Sequence, residues 1–126
     1  MAGPDRNVVL VVDDDDSMLK SVARLLRQLG YASMLFPSAA AFAEHHDFDD
    51  VLCVLLDIDL GDDSGIELRQ RLKAANNPVP VIYITGNEDP AIRAAALESG
   101  CIAFLTKPFS QQALIEPLNK AAAGRS

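Results

Sequence analysis

Short apolar runs rich in β-branched residues recur along the chain and alternate with more polar segments. The five runs are Val8 to Val12, Ala32 to Phe36, Val51 to Leu56, Val79 to Ile84 and Ile102 to Leu105. The first, third and fourth runs are apolar almost without interruption, which is typical of strands covered on both faces, as in a parallel sheet. The pattern therefore predicts five strands with helices between them.

The first polar segment predicts an amphipathic helix. Its apolar residues share one helical face and are Met18, Val22, Leu25, Leu26 and Leu29. Gly30 follows at the position where a left-handed C-cap belongs, so the helix is expected to end just before it.

Cap residues mark the next two helices. Ser38 is expected to cap a short helix over Ala39 to His45, whose alanines favour helix propagation. Ser64 and Glu67 have the spacing of a capping box, which predicts a third helix that runs to about Ala75.

The fourth helix is predicted from Asp89 and Pro90, a cap followed by a first-turn proline, and Gly100 closes it. Ser110 can cap a fifth helix that extends through Ala122.

Pro117 lies well inside the fifth predicted helix. A proline there removes a hydrogen bond and clashes with the preceding turn, at a cost of about 3 kcal/mol or more. We therefore expect a kink or an early end at Pro117, with residues 118–126 loosely held.

Strict alternation of strands and helices predicts an α/β fold. The expected architecture is a single five-stranded parallel sheet with right-handed crossovers and helices on both faces. The 126 residues, 49% hydrophobic and 23% charged, suit one globular domain over residues 1–126 with a core of its own. Residues 1–6 and 123–126 are expected to be flexible ends.

The chain carries no pattern of a membrane or exported protein. No apolar stretch approaches the length of a transmembrane span or resembles a signal peptide. Cys53 and Cys101 lack a Cys-x-x-Cys spacing and fit a reducing compartment. We therefore expect a cytoplasmic protein with no membrane partner.

The net charge of −7 comes from two short acidic segments. They contain Asp13, Asp14, Asp15 and Asp16, and Asp57, Asp59, Asp62 and Asp63. Without these eight acids, basic residues outnumber acidic residues by one. Nucleic acid is not expected to bind directly, because phosphate contacts require Lys and Arg, whereas a cation is an expected ligand of these segments.

The residues that follow four of the strands point to a common site. They are Asp13 with Asp14, Asp57, Thr85 and Lys107. In an open parallel sheet, sites form beyond the carboxyl ends of the strands, so these side chains should meet at one edge. Carboxylates without His or thiolate favour Mg²⁺, with Mn²⁺ as an alternative.

Such a site can perform phosphoryl chemistry. A central carboxylate, here Asp57, can act as a nucleophile toward phosphorus and form an aspartyl phosphate. Lys107 and the Thr85 hydroxyl would hold the other phosphoryl oxygens while the metal neutralises charge.

A simpler interpretation is that Asp13 to Asp16 only cap the first helix. Asp13 and Asp14, however, come directly off a buried strand, where a pair of charges is costly unless something compensates it. The other acids of the two segments are interpreted as solvated loop residues, namely Asp15, Asp16, Asp62 and Asp63.

Over nearly its whole length, the chain resembles the receiver domain of two-component response regulators. The matching stretches are VVDDDDSM at residues 11–18, LLDIDL at 55–60 with Ser64-Gly65, ITG at 84–86 and FLTKPF at 104–109. The resemblance implies a flavodoxin-like fold with strand order 2-1-3-4-5. It also implies a phosphoprotein of a signalling pathway that turns over no external substrate.

The resemblance assigns roles to the acidic residues by position. Asp57 would be the phosphoacceptor, and Asp13 and Asp14 would be the acidic pair beside the metal. Asp59 would supply a backbone carbonyl to the metal, which Asp57 also contacts.

The resemblance also implies a switch. Thr85 and Lys107 would contact the phosphoryl group, with a cis peptide between Lys107 and Pro108, and Phe104 matches the aromatic residue whose rotation reports phosphorylation. The implied switch is a shift in the populations of two conformations. Thr85 moves toward the phosphoryl group, Phe104 turns into the vacated space, and the surface of the fourth helix, fifth strand and fifth helix is remodelled.

The implied partners are a sensor histidine kinase or a phosphotransfer protein as phosphoryl donor. An output domain or a second copy of the chain would bind the remodelled surface. The stretches SAAAF at 38–42 and ITG at 84–86 resemble receivers of nitrogen-fixation-type regulators with a helix-turn-helix output, which implies control of transcription.

One position departs from the family pattern. After Asp57-Ile58-Asp59-Leu60 the family usually has proline, whereas this chain has Gly61. Glycine frees the backbone of the loop that carries the Asp59 carbonyl, so metal affinity or phosphoryl lifetime is expected to differ from the family norm.

Three other functions share some of these signals. A phosphatase of the haloacid-dehalogenase type also has an Asp-x-Asp nucleophile motif, but there the nucleophile's strand comes first and the acidic pair last. A flavin-binding module would need phosphate-binding groups after the first strand, where four aspartates would repel phosphate. A phosphorylation-independent pseudo-receiver is kept open by Gly61, although Asp57, Thr85 and Lys107 are intact.

Overall fold

The computed structural model describes residues 7–86 and 89–124. The strands are β1 (Val8–Val12), β2 (Ala32–Phe36), β3 (Val51–Asp57), β4 (Val81–Thr85) and β5 (Ala103–Thr106). The helices are α1 (Asp16–Gln28), α2 (Ala39–Ala43), α3 (Gly65–Ala74), α4 (Pro90–Glu98) and α5 (Gln111–Gly124). All strand pairs are parallel in the order β2-β1-β3-β4-β5, so the predicted α/β fold and strand order are confirmed.

The sheet separates two apolar layers. On one face, Leu19, Val22 and Leu26 of α1 pack with Leu114 and Leu118 of α5. On the other face, α2, α3 and α4 cover the sheet with apolar side chains that include Ala39, Phe42, Leu68 and Ala96. Every residue of β3 is buried, as its continuous apolar sequence predicted, because helices cover both of its faces.

Helix ends agree with most predicted caps. Ser38 Oγ accepts a hydrogen bond from Ala41 N–H, and Asp89 caps α4 through Ala91 N–H. Gly30 follows α1 with φ of +94°, a conformation that glycine adopts without a Cβ clash.

Two helix predictions need correction. The helix α2 ends at Ala43 because His45 N–H bonds back to Phe42 O in a tighter turn. The prediction that Ser64 and Glu67 form a capping box is also wrong. Ser64 Oγ accepts from Ile66 N–H, and Ser64 N–H donates to the adjacent Asp63 carboxylate, which takes the place predicted for Glu67.

The helix α5 does not end at Pro117 but continues to Gly124. Leu118 and Ala121 are buried against α1 and the sheet, so the prediction that this part is loosely held is wrong for them. Burial of a leucine stabilises by about 1.5 to 3 kcal/mol, which is comparable to the cost of the proline. The predicted flexible residues 1–6, 125 and 126 lie outside the described residues.

Candidate functional site

Two buried carboxylates lie side by side at the carboxyl edge of the sheet. Asp13 directly follows β1 and Asp57 is the last residue of β3, the neighbouring strand. The side chain of Asp13 is fully buried and its Oδ1 accepts from Asp15 N–H at 3.0 Å. Asp57 Oδ1 accepts from Asp59 N–H at 3.1 Å. Each buried carboxylate therefore has one oxygen fixed by the backbone of the loop that follows it.

A third carboxylate completes the cluster. Asp14 is exposed, and one oxygen from each of Asp13, Asp14 and Asp57 lies within 4.8 Å of the others. The structure thus brings together the three carboxylates that the strand ends predicted.

Lys107 reaches this cluster from β5, on the far side of β4. Its backbone N–H donates to Thr85 O at 2.7 Å, which fixes the start of the loop between β5 and α5. Its Nζ donates to Asp13 Oδ2 at 2.8 Å and to Asp57 Oδ2 at 3.2 Å. The peptide between Lys107 and Pro108 is cis, as the resemblance implied.

The cluster has more negatively charged groups than positively charged ones. Burial and the charge of Asp13 raise the pKa of Asp57 to about 6, although Lys107 and the Asp59 N–H act in the opposite direction. Burial alone would lower the pKa of Lys107, but its hydrogen bond to Asp13 and the charge of Asp57 raise that pKa overall. One ammonium group therefore does not compensate the carboxylates, and a bound cation would.

The donor set defines the cation that fits. The cluster offers carboxylate oxygens without nitrogen or sulfur ligands. Hard oxygen ligands suit Mg²⁺ or Mn²⁺ rather than zinc or copper. The residues present therefore fit a divalent hard cation, on the basis of both their oxygen atoms and their uncompensated charge.

The other predicted site residues surround the cluster. Thr85 is fully buried at the end of β4, beside Ile84, which pairs with Asp57 across the strands. Thr85 and Asp59 line one cleft of about 230 Å³. Phe104 is half-buried on β5 and lies two residues before the carboxyl end of that strand. The Arg93 guanidinium of α4 lies 5.1 Å from the centre of its ring, in the range of a cation–π contact.

Asp15 and Asp62 are exposed, as interpreted from the sequence, and Asp63 is partly buried, but all three also have structural partners. Asp15 is the N-cap of α1, because its carboxylate accepts from Ser17 N–H at 2.9 Å. Asp63 forms an ion pair with Arg71 at 2.8 Å. Asp62 accepts from two backbone N–H groups at the start of α2, a contact that the interpretation missed. Capping of the first helix was one of the two interpretations of Asp13 to Asp16, and it is confirmed for Asp15. The contact of Asp62 joins distant segments and has no local signal.

A family model described as the response regulator receiver domain matches residues 9–119. The chain belongs to the response regulator receiver domain family. Phosphorylation-based signalling is the general function of this family, and receiver domains generally bind Mg²⁺ at an acidic pocket. The structure has such an acidic cluster in its Asp13, Asp14 and Asp57 carboxylates.

The curated relatives of this receiver domain include transcriptional regulators. It is 37% identical over 123 residues to the transcriptional regulatory protein FixJ of Azorhizobium caulinodans, covering 98% of this chain and 58% of FixJ. It is 29% identical over 115 residues to the response regulator protein TodT of Pseudomonas putida strain F1, covering 91% of this chain and 51% of TodT. The receiver chain thus spans about half the length of the curated relatives it matches.

A solved structure supports the same relationship. The FixJ-N crystal structure is 33% identical to this receiver domain with a TM-score of 0.81, over 92% of this chain and 93% of that one. The predicted resemblance to nitrogen-fixation-type receivers is therefore confirmed. Within residues 7–86 and 89–124, no helix of this receiver is both long and apolar enough to span a bilayer.

Proposed function

We propose that this receiver domain takes a phosphoryl group onto Asp57 from a sensor histidine kinase or a phosphotransfer protein. The observation that carries the proposal is the position of Lys107 Nζ, which donates to both Asp13 and Asp57 within the carboxylate cluster. A buried carboxylate bonded to a lysine and flanked by two more acids has the groups that phosphoryl transfer needs.

Asp13, Asp14 and Asp57 would hold the cation through carboxylate oxygens, and Asp59 through its backbone carbonyl. When bound, Mg²⁺ supplies positive charge that offsets the negative charge of the transferring group and of the carboxylates. We expect Mn²⁺ to substitute for it. The excess negative charge of the cluster supports this assignment.

The transfer step uses Asp57 as the nucleophile. With a pKa of about 6, Asp57 is mostly ionised at neutral pH even before a cation binds. A carboxylate oxygen of Asp57 forms a bond to phosphorus while the bond from phosphorus to the donor's imidazole nitrogen breaks, and the leaving imidazole takes a proton from water. The Asp59 N–H holds Oδ1 in place during this step.

Two side chains would then hold the new phosphoryl group. Lys107 lies close enough to exchange its contact with Asp57 Oδ2 for one with a phosphoryl oxygen. The hydroxyl of Thr85, at the end of the adjacent strand, would donate to another oxygen. Its movement would allow the ring of Phe104 to turn inward.

This movement would change the surface formed by α4, β5 and α5. We propose that an output domain or a second copy of the chain reads that surface, and that the output is transcription. The FixJ relative, described as a transcriptional regulator and longer than this chain, supports that output. The domain itself is not expected to bind nucleic acid or to turn over an external substrate. We place it in the cytoplasm, with its kinase partner.

The test is the intact mass of the protein after incubation with a small phosphoryl donor, with and without Mg²⁺. We expect a gain of one phosphoryl group that requires the cation and is lost in Asp57→Asn. A gain that persists in Asp57→Asn would overturn the assignment of the phosphoacceptor. Consumption of donor without a mass gain would favour the dehalogenase-type phosphatase, and neither consumption nor gain would favour the pseudo-receiver.

A further inference from the structure

The loop between β3 and α3 makes two hydrogen bonds to α2, and both come from the side chain of Asp62. Asp62 Oδ1 accepts from Ala39 N–H and its Oδ2 from Ala40 N–H, both at 3.2 Å. These N–H groups belong to the first turn of α2 and have no acceptor within the helix. The two hydrogen bonds lower the pKa of Asp62, so the carboxylate accepts them in its charged form. The loop is therefore joined to α2 by two charge-assisted hydrogen bonds.

The partner helix is a firm point of attachment. Ala39 and Phe42 of α2 are both buried in the core layer that covers β3. The ring of Phe42 packs edge to face with the ring of Phe36 at the end of β2, with the two centres 5.5 Å apart. A group bonded to the start of α2 is thus held in position relative to the sheet.

Gly61 forms the turn of this loop. Its φ is +82°, and Asp62 N–H bonds to Leu60 O at 2.9 Å, which closes a tight three-residue turn. Proline cannot adopt this φ, so a proline at this position would require a different turn. The loop therefore turns at a residue with unusual conformational freedom, between the buried Leu60 and the hydrogen-bonded Asp62.

The same turn lies against the acidic cluster. A Cβ at Gly61 would lie only 3.4 Å from Asp14 Oδ2, so the turn and this carboxylate are near neighbours. On its other side the turn leads back to Asp59, whose N–H holds Asp57. A shift of the turn would thus move backbone beside both Asp14 and Asp57.

Leu60 of the loop is buried in the same core layer as Ala39 and Phe42, so apolar packing also holds the loop near α2. Among the described residues, the other hydrogen bonds and ion pairs of residues 58–64 are made within the loop or to β3, β4 and α3. Leu60 N–H bonds to Asp63 O within the loop, and Gly65 N–H bonds to Ile58 O at its base. The ion pair of Asp63 with Arg71 joins the loop to α3, its own continuation along the chain.

We propose that Asp62 is a positioning residue for the phosphoryl and cation site. By bonding the loop to α2, it fixes the turn at Gly61 and the backbone of Asp59 beside the acidic cluster. This inference rests on the proposed function, because the positioned groups are those assigned to the cation and to Asp57.

The test compares Asp62→Ala with Asp63→Ala, which removes an equal charge from the same loop. Calorimetric titration of each folded variant with Mg²⁺ measures the affinity, and urea unfolding measures stability. We expect Asp62→Ala to bind Mg²⁺ about tenfold more weakly than Asp63→Ala, the low end of the effect of losing an outer-shell partner. Equal affinities of the two variants would overturn the proposal, because the bonds of Asp62 to α2 would then matter no more than the charge of Asp63 and its contacts with Ser64 and Arg71.

Amide hydrogen exchange of the metal-free protein provides a second readout. In Asp62→Asn, which keeps the size of the side chain and serves if Asp62→Ala does not fold, the N–H groups of Ala39 and Ala40 should exchange roughly fivefold faster. Unchanged exchange at both amides would show that the attachment does not exist in solution.

The outcomes also separate this inference from the function on which it rests. If the unaltered protein neither binds Mg²⁺ nor gains a phosphoryl group at Asp57, both proposals fall. If it does both, and Asp62→Ala matches Asp63→Ala in Mg²⁺ affinity, only the positioning role of Asp62 is refuted.

Discussion

Replacement of Asp57 by asparagine should stabilise the metal-free protein, and the gain should depend on pH. Folding raises the pKa of Asp57 from 3.8 to about 6, mainly through burial and the charge of Asp13. Between pH 3.8 and pH 6, Asp57 is largely protonated in the folded state and largely ionised in the unfolded state. Stability of the unaltered protein therefore falls as the pH rises from about 4 to 6 and stays low above 6.

The magnitude follows from the size of the shift. Each unit of pKa difference corresponds to about 1.4 kcal/mol, so the shift of Asp57 corresponds to about 3 kcal/mol at neutral pH. Asparagine carries no charge and does not titrate. The stability of Asp57→Asn relative to the unaltered protein should therefore rise by about 2 to 3 kcal/mol between pH 4 and pH 7.

The assay is urea unfolding with a chelator present at pH 4, 5.5 and 7. Asp49→Asn, at an exposed aspartate outside the cluster, is the control and should change stability little at any of these pH values. Saturating Mg²⁺ should remove most of the advantage of Asp57→Asn, because a cation bound to the folded state stabilises the unaltered protein by about 2.7 kcal/mol at a hundredfold excess over Kd. A stability difference that does not change between pH 4 and pH 7 would refute the conclusion that uncompensated charge destabilises the site.

Three further substitutions test individual contacts by urea unfolding at pH 7. Lys107→Met should destabilise the metal-free protein by about 3 to 5 kcal/mol, because it leaves two buried carboxylates without a counter-charge. Mg²⁺ should restore part of this loss, and an unchanged unfolding midpoint would contradict the prediction. Tyr83→Phe should cost about 1 kcal/mol through loss of the buried hydrogen bond to Ser99, and a neutral effect would mean that the bond has no net value. Leu118→Ala should cost about 2 to 5 kcal/mol, whereas a cost below about 1 kcal/mol would indicate that the end of α5 is not held in the core after all.

Local patterns determined most of the fold. The uninterrupted apolar residues of β1 and β3 predicted buried parallel strands because only strands covered on both faces can bury every side chain. Caps such as Ser38 and Asp89 marked helix starts because their hydrogen bonds reach only two or three residues along the chain. The cap interactions are made within the helix or beside it, and the apolar run that marks each strand lies within the strand itself.

The site was partly predictable for a related reason. Parallel strands end at the same edge of a sheet, so Asp13, Asp57 and Thr85 could be placed together from strand ends alone. The local sequence could not predict how deeply these side chains are buried or how strongly they interact. Burial of Asp57 beside Asp13, and hence the raised pKa, depends on which strands are neighbours and how helices cover them.

Contacts between distant segments were decided by the tertiary structure alone. Lys107 meets Asp13 across 94 positions of the chain, and Asp62 meets Ala39 across 23. The end of α5 beyond Pro117 is likewise held by packing against other elements, which local propensity does not describe. Sequence by itself therefore determined the order of elements and the edge at which the chemistry collects. Only the folded chain decided which side chains restrain one another there, because side-chain reach and burial depend on neighbours that are remote in sequence.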